Sequence, residues 1–159
     1  MTEIHDFEPD FIAALPETAE LLKAAPLVVH PRVTCITVHG SRGPTGGYRL
    51  NSDVDLSLII DTKGVTKRAE LEALLQDVLN TTLTHWTSDV EADLAAIFDV
   101  RGCGLHCFDC TTYDEGRCGE ESADCFGLYK VQKGFDGFVE GLGIEVEAMY
   151  PCAVAWRRG

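Results

Sequence analysis

Apolar residues recur at three and four positions through residues 66–83, at Leu71, Leu74, Leu75, Val78 and Leu79. That spacing predicts an amphipathic helix with one face against a core. On either side the period changes to two. In residues 53–60, Val54, Leu56, Leu58 and Ile60 alternate with Asp53 and Asp55. In residues 89–99, Val90, Ala92, Leu94, Ala96 and Phe98 share one parity while Glu91, Asp93 and Ala95 share the other. A strand turns successive side chains to opposite faces, so each segment predicts a strand with one apolar face. A further apolar run, Val33-Thr34-Cys35-Ile36-Thr37-Val38, starts just after Pro31 and predicts a strand ending at Val38 or His39.

The remaining chain carries weaker patterns. Residues 1–32 read as a helical lead-in: Pro9 suits a first helical turn, Phe11, Ile12 and Leu15 fall at helical spacing, and Pro16 interrupts. A second helix over residues 17–25 would turn Leu21 and Leu22 inward, and Pro26 and Pro31 bracket the short piece Leu27-Val28-Val29. Residues 40–51 hold too many glycines, with Pro44, for more than a very brief helix. Beyond Arg101-Gly102 the chain turns to Cys, Gly and aromatic residues, with short strands expected at 105–110 and 126–131, a polar loop at 111–124 and a final strand within 149–156. The expectation is one mixed α/β domain over residues 1–159. It has a core at 33–100, a helical lead-in at 1–32 and a Cys-rich β extension at 101–159, and its small mixed sheet is flanked by helices.

Composition changes this picture little: 45% of the residues are hydrophobic and 25% charged, ordinary for a globular chain. No apolar run reaches membrane-spanning length, and the acidic start Met1-Thr2-Glu3 lacks the basic opening of a signal peptide, so a cytoplasmic protein without membrane contact is expected. A net charge of −13 disfavours sequence-independent nucleic-acid binding, which needs excess Lys and Arg. It leaves room for a metal-bound nucleotide, which responds to the local field. The seven cysteines are an odd count with no export signal, against a disulfide framework. Cys107-x-x-Cys110 has zinc-knuckle spacing, and Cys103, His106, Cys118 and Cys125 could complete a structural Zn²⁺ set. The second half lacks its own Cys-x-x-Cys, so buried thiols acting as small hydrophobes are the preferred reading.

The candidate chemistry lies between Val38 and Asp61. Asp53 and Asp55 sit one pleat apart on one strand face, where two carboxylates can grip a divalent cation between them. Upstream, the first apolar run stops at His39-Gly40-Ser41, a turn that can offer backbone N–H groups and a hydroxyl to phosphate. Arg42 and Arg49 follow in the glycine-rich loop, and a guanidinium suits bidentate phosphate contact; each is equally at home in solvent. Lys130 and Lys133 are further cations that no motif singles out. For His39 the default is a strand-end histidine satisfied by hydrogen bonds, and for Phe126, Tyr129, Phe135 and Phe138 it is core packing.

Gly40-Ser41, a spacer, then Asp53-Val54-Asp55 on a strand resembles the nucleotidyltransferase superfamily that includes DNA polymerase beta and the minimal nucleotidyltransferases. The resemblance covers residues 33–100. It implies a nucleotidyltransferase-type sheet and a third carboxylate on a neighbouring strand. Asp93 is the choice, with Glu91 the competitor on the same face and Asp99 ranked lower. It further implies that Asp53, Asp55 and Asp93 hold two Mg²⁺ ions and are catalytic. Gly40, Ser41 and Arg42 would meet the phosphates of a nucleoside triphosphate such as ATP. The implied reaction moves a nucleoside monophosphate to an acceptor hydroxyl on an unknown small molecule or protein, releasing pyrophosphate. Two alternatives stand beside it: an antitoxin-like partner of a small helical toxin, as minimal members can be, and a nucleotide-binding module that has lost catalysis.

Overall fold

The computed structural model of the chain describes residues 2–100, 102, 105, 126–132, 135–139 and 151–159. In chain order the elements are strand β1 (Thr2–Glu3), helices α1 (Pro9–Ala14) and α2 (Pro16–Ala24), strands β2 (Val28–Val29) and β3 (Val33–His39), and a single 3-10 turn, Gly40–Arg42. Then come β4 (Val54–Ile60), α3 (Arg68–Thr82), β5 (Ala92–Asp99), β6 (Phe126–Gln132), β7 (Phe135–Phe138) and β8 (Ala153–Arg157). The fold is mixed α/β. Both short helices begin on a proline, where the absent N–H would have had no intrahelical partner anyway.

Six strands form one mixed sheet in the order β7-β6-β5-β4-β3-β8, and β1 pairs with β2 separately. Every neighbouring pair in the large sheet is antiparallel except β4 and β5, which run parallel because α3 carries the chain back between them. The alternation read along 53–60 and 89–99 holds. Val54, Leu56, Leu58 and Ile60 join Leu94 and Ala96 in the larger core, with Phe11, Leu22, Leu75, Val78 and Leu79 from the helices. Burying one such aliphatic side chain contributes about 1.5–3 kcal/mol, so this face dominates the packing. The other face of the sheet has its own smaller core of Cys35, Ile59, Ala95, Ile97, Leu105, Phe126, Leu128 and Val154, to which no described helix contributes. Among the described residues, therefore, the helices cover one face only.

Strand β5 starts three residues later than the periodicity predicts. Ser88 Oγ accepts from Val90 N at 3.0 Å, and the Trp86 indole donates to Val90 O at 3.0 Å. Both backbone groups of Val90 are thus engaged by local side chains and leave the ladder. The final strand pairs with β3 rather than extending the sheet beside β6 and β7. Cys35 and Cys152 are buried thiols. Cys103, Cys107, Cys110, Cys118, Cys125, His106 and Lys133, and most of the strand expected at 105–110, lie outside the described residues. None of the described helices is long and apolar enough to cross a membrane.

Candidate functional site

The Asp-x-Asp segment straddles the start of β4. Val54 is fully buried, so period two turns Asp53 and Asp55 to the opposite face. On that face Asp55 is in register with His39 of β3 on one side and with Asp93 of β5 on the other. The parallel pairing of β4 with β5 is what brings Asp93 beside Asp55. Glu91 is exposed and lies before β5; its carbonyl accepts from Val54 N at 2.9 Å, while its carboxylate influences Asp93 only through space. Asp99 is six residues further along the strand, about 20 Å away at ~3.3 Å per residue, and its Oδ1 accepts from Gly102 N at 2.8 Å.

The three carboxylates lean on one another. Burial raises the Asp55 pKa above the usual carboxylate value, and the negative charge of Asp53 adds to the rise, while Lys130 and a hydrogen bond with Asp93 oppose it. Asp93 is raised as well, first by burial, then by the charges of Asp53 and Asp55, a hydrogen bond with Asp53, and Glu91. Both shifts have the same physical origin, since burial and neighbouring like charge each disfavour the ionised form. Among the described residues no three His, Cys, Asp or Glu side chains form a ready-made metal cage. The donor set nonetheless fits a hard divalent cation. It consists of carboxylate oxygens on adjacent strands, and a cation entering between them would relieve their mutual repulsion.

The turn after β3 closes over this cluster. Gly40 has φ +73°, and a Cβ placed there would stand 2.1 Å from Asp55 Oδ2. Only glycine combines that backbone conformation with so close an approach. Gly43 is equally confined: its Cβ would meet His39 Cα at 2.7 Å, while its N–H closes the turn onto Gly40 O at 3.0 Å. Ser41 is half-buried beside it.

Arg42 takes a different part from the phosphate contact expected of it. Its side chain is buried, with Nε donating to Ser52 O at 2.8 Å and Nη2 to Arg49 O and Leu50 O at 3.2 and 3.3 Å. The Tyr48 ring packs against the guanidinium at 4.6 Å, and Thr18 on α2 donates to Arg42 O at 2.7 Å. The guanidinium therefore ties the glycine-rich loop into shape and faces the loop's own carbonyls. Arg49 is exposed and contributes its backbone N–H to Ser52 Oγ at 2.8 Å.

Two groups that the motif does not mark complete the site. His39, which lines the cleft, is joined through Nε2 to the buried Ser57 Oγ at 2.9 Å. Burial and the nearby charge of Lys130 push the His39 pKa down to about 4, so the imidazole is neutral at physiological pH. Lys130, on β6, lines the same cleft as His39, Asp55, Asp93 and Ala95. Both parities of residues 126–131 carry apolar side chains, so alternation does not mark its face, and the β5–β6 register is what brings it beside the carboxylates. No protein-family model matches the chain, and no curated protein matches it closely enough to indicate kinship.

Proposed function

We propose that the protein is a divalent-metal-dependent nucleotidyltransferase that moves a nucleoside monophosphate from a triphosphate to an acceptor hydroxyl. The observation that carries this reading is the register of Asp55 with Asp93, with Asp53 against them and the Gly40–Arg42 turn overhead. The succession of strand, Gly-Ser turn, Asp-x-Asp strand, helix and carboxylate-bearing strand agrees with the superfamily that the motif resembles, and supports a nucleotidyltransferase-type core.

Asp53, Asp55 and Asp93 would hold the metal, Mg²⁺ by the hardness of the donors. When bound, the cations supply charge neutralisation at the transferring phosphoryl group and the leaving group. Asp93 would also take the acceptor proton. A bond forms from the acceptor oxygen to the α-phosphorus, the bond to the bridging oxygen breaks, and pyrophosphate leaves with that electron pair. Gly40 and Ser41 would meet the triphosphate beyond the carboxylates, while Arg42 holds their loop in place from behind. Neutral His39, anchored by Ser57, fills the floor without adding a positive charge that would compete with the cations.

Pyrophosphate release measured over a panel of triphosphates and acceptors with Mg²⁺ or Mn²⁺ tests this. Asp53→Ala/Asp55→Ala and Asp93→Asn should each lose a hundredfold or more, about the scale of removing an electrostatic stabiliser of the transition state. Glu91→Gln should stay within about threefold, because removing an exposed charge has only a small effect. Equal turnover in wild type and the double variant would sink the enzymatic reading, and full activity in Asp93→Asn would move the third carboxylate elsewhere.

A further inference from the structure

The carboxylate cluster leaves a charge to be met. Three carboxylates and a triphosphate together outweigh two divalent cations, so turnover calls for at least one protein cation against the phosphates. Of the expected sources, the Arg42 guanidinium is bound to loop carbonyls, and Arg49 stands exposed in the glycine-rich loop. Among the described residues lining the cleft, Lys130 is the one with a cationic side chain. In register it lies between Ala95 of β5 and Gly137 of β7, two of the smallest residues, so neither ladder partner crowds its stem. Its charge acts on both Asp55 and His39, two and three strands away. Among the described residues it has no ion-pair partner within 4.0 Å.

We infer that Lys130 is the phosphate-binding cation of this site, contacting a non-bridging oxygen of the phosphoryl group being transferred. Placement selects that phosphate. The Gly40–Ser41 turn follows β3 at one side of Asp55, whereas Lys130 reaches in from β6 at the other, past Asp93. A triphosphate with its outer phosphates at the turn has its α-phosphate between the carboxylates, on the side that Lys130 approaches. The ammonium donates a charge-assisted hydrogen bond that strengthens as charge builds on the phosphoryl oxygens. This assignment rests on the nucleotidyltransferase reading.

The test uses the full chain and two substitutions, Lys130→Met, which keeps the length of the stem, and Lys130→Arg, which keeps the charge. A non-hydrolysable α,β-methylene triphosphate is titrated calorimetrically with Mg²⁺, and Mn²⁺ alone is titrated separately. Lys130→Met should bind the analogue about tenfold more weakly, about 1.4 kcal/mol, and Mn²⁺ no more weakly than wild type. Lys130→Arg should recover most of the nucleotide affinity. In turnover, Lys130→Met should lower kcat more than it raises KM. It should also shrink the slowing caused by sulfur at one of the two non-bridging α-oxygens. Nucleotide affinity equal to wild type, or an unchanged sulfur effect, overturns the assignment of Lys130 alone. Loss of Mn²⁺ binding with a lowered melting temperature assigns Lys130 a structural role and overturns it too. A wild-type protein that binds no triphosphate overturns both this inference and the reading beneath it.

Discussion

Gly40→Ala separates stability from function at one atom. Alanine in the left-handed region costs about 1–2 kcal/mol, and Gly40 has φ +73°. For a chain of this size that is a fall of about 2–8 °C in melting temperature. The added methyl would also lie 2.1 Å from Asp55 Oδ2, so the carboxylate has to withdraw. Withdrawal is cheap for folding, because a side-chain end can rotate away. It is expensive for a metal ligand: displacement by about 1 Å can cost a hundredfold in rate. Gly46→Ala is the matched control, since Gly46 has φ +75° and nothing within 4 Å of its Cβ position. Both variants should lose similar stability. Only Gly40→Ala should lose Mg²⁺-dependent pyrophosphate release, by about a hundredfold, together with most of the melting-temperature rise that Mg²⁺ produces. Turnover in Gly40→Ala within about threefold of Gly46→Ala would refute the close approach of this turn to Asp55.

Four further outcomes follow from the packing and the charges. Gly127→Ala should destabilise by about 1–3 kcal/mol, the range for overpacking, read by urea unfolding, because its Cβ would stand 2.1 Å from Phe98 Cζ. Arg42→Lys should fail to restore what Arg42→Ala loses, since a single ammonium cannot replace the fork that reaches Ser52, Arg49 and Leu50. Hydrogen exchange at Ser52 N–H should quicken in both. With pH, neutral His39 contributes stability that is complete above its unfolded pKa of 6.5 and is lost as pH falls toward about 4. His39→Gln should flatten that limb of the melting curve. Asp55 and Asp93 have the opposite sign: raised above 3.8, they weaken the metal-free protein as pH climbs through their folded pKa values. Added Mg²⁺ should reverse that loss at neutral pH, and a melting temperature indifferent to Mg²⁺ at pH 7 would count against cation binding at the cluster.

Faces were legible in the chain; neighbours were not. Period two told Asp53 and Asp55 from Val54 and Leu56, and Asp93 from Leu94, because alternation is a local property of an extended backbone. The 3–4 spacing of Leu71, Leu75, Val78 and Leu79 marked α3 for the same reason. Local signals failed where a side chain intervened, as when Ser88 and Trp86 took both backbone groups of Val90 and shortened β5. They also failed at Arg42, whose residue type suits phosphate but whose surroundings offer three carbonyls at closer range.

By itself, then, the sequence determined that two strands bear carboxylates on one face, that a glycine turn precedes them and that a helix lies between. Periodicity and residue type carry that much, because both act within a few residues. Tertiary structure alone decided that β4 and β5 pair in parallel with Asp55 opposite Asp93, and that β8 closes the edge beside β3. It also brought Lys130 of β6 and His39 of β3 to the same cleft. Strand register is chosen by the burial of whole faces against each other, which sums contacts far apart in the chain. The gap between Val38 and Asp61 thus names the carboxylates and the turn, and the sheet around it supplies the cation.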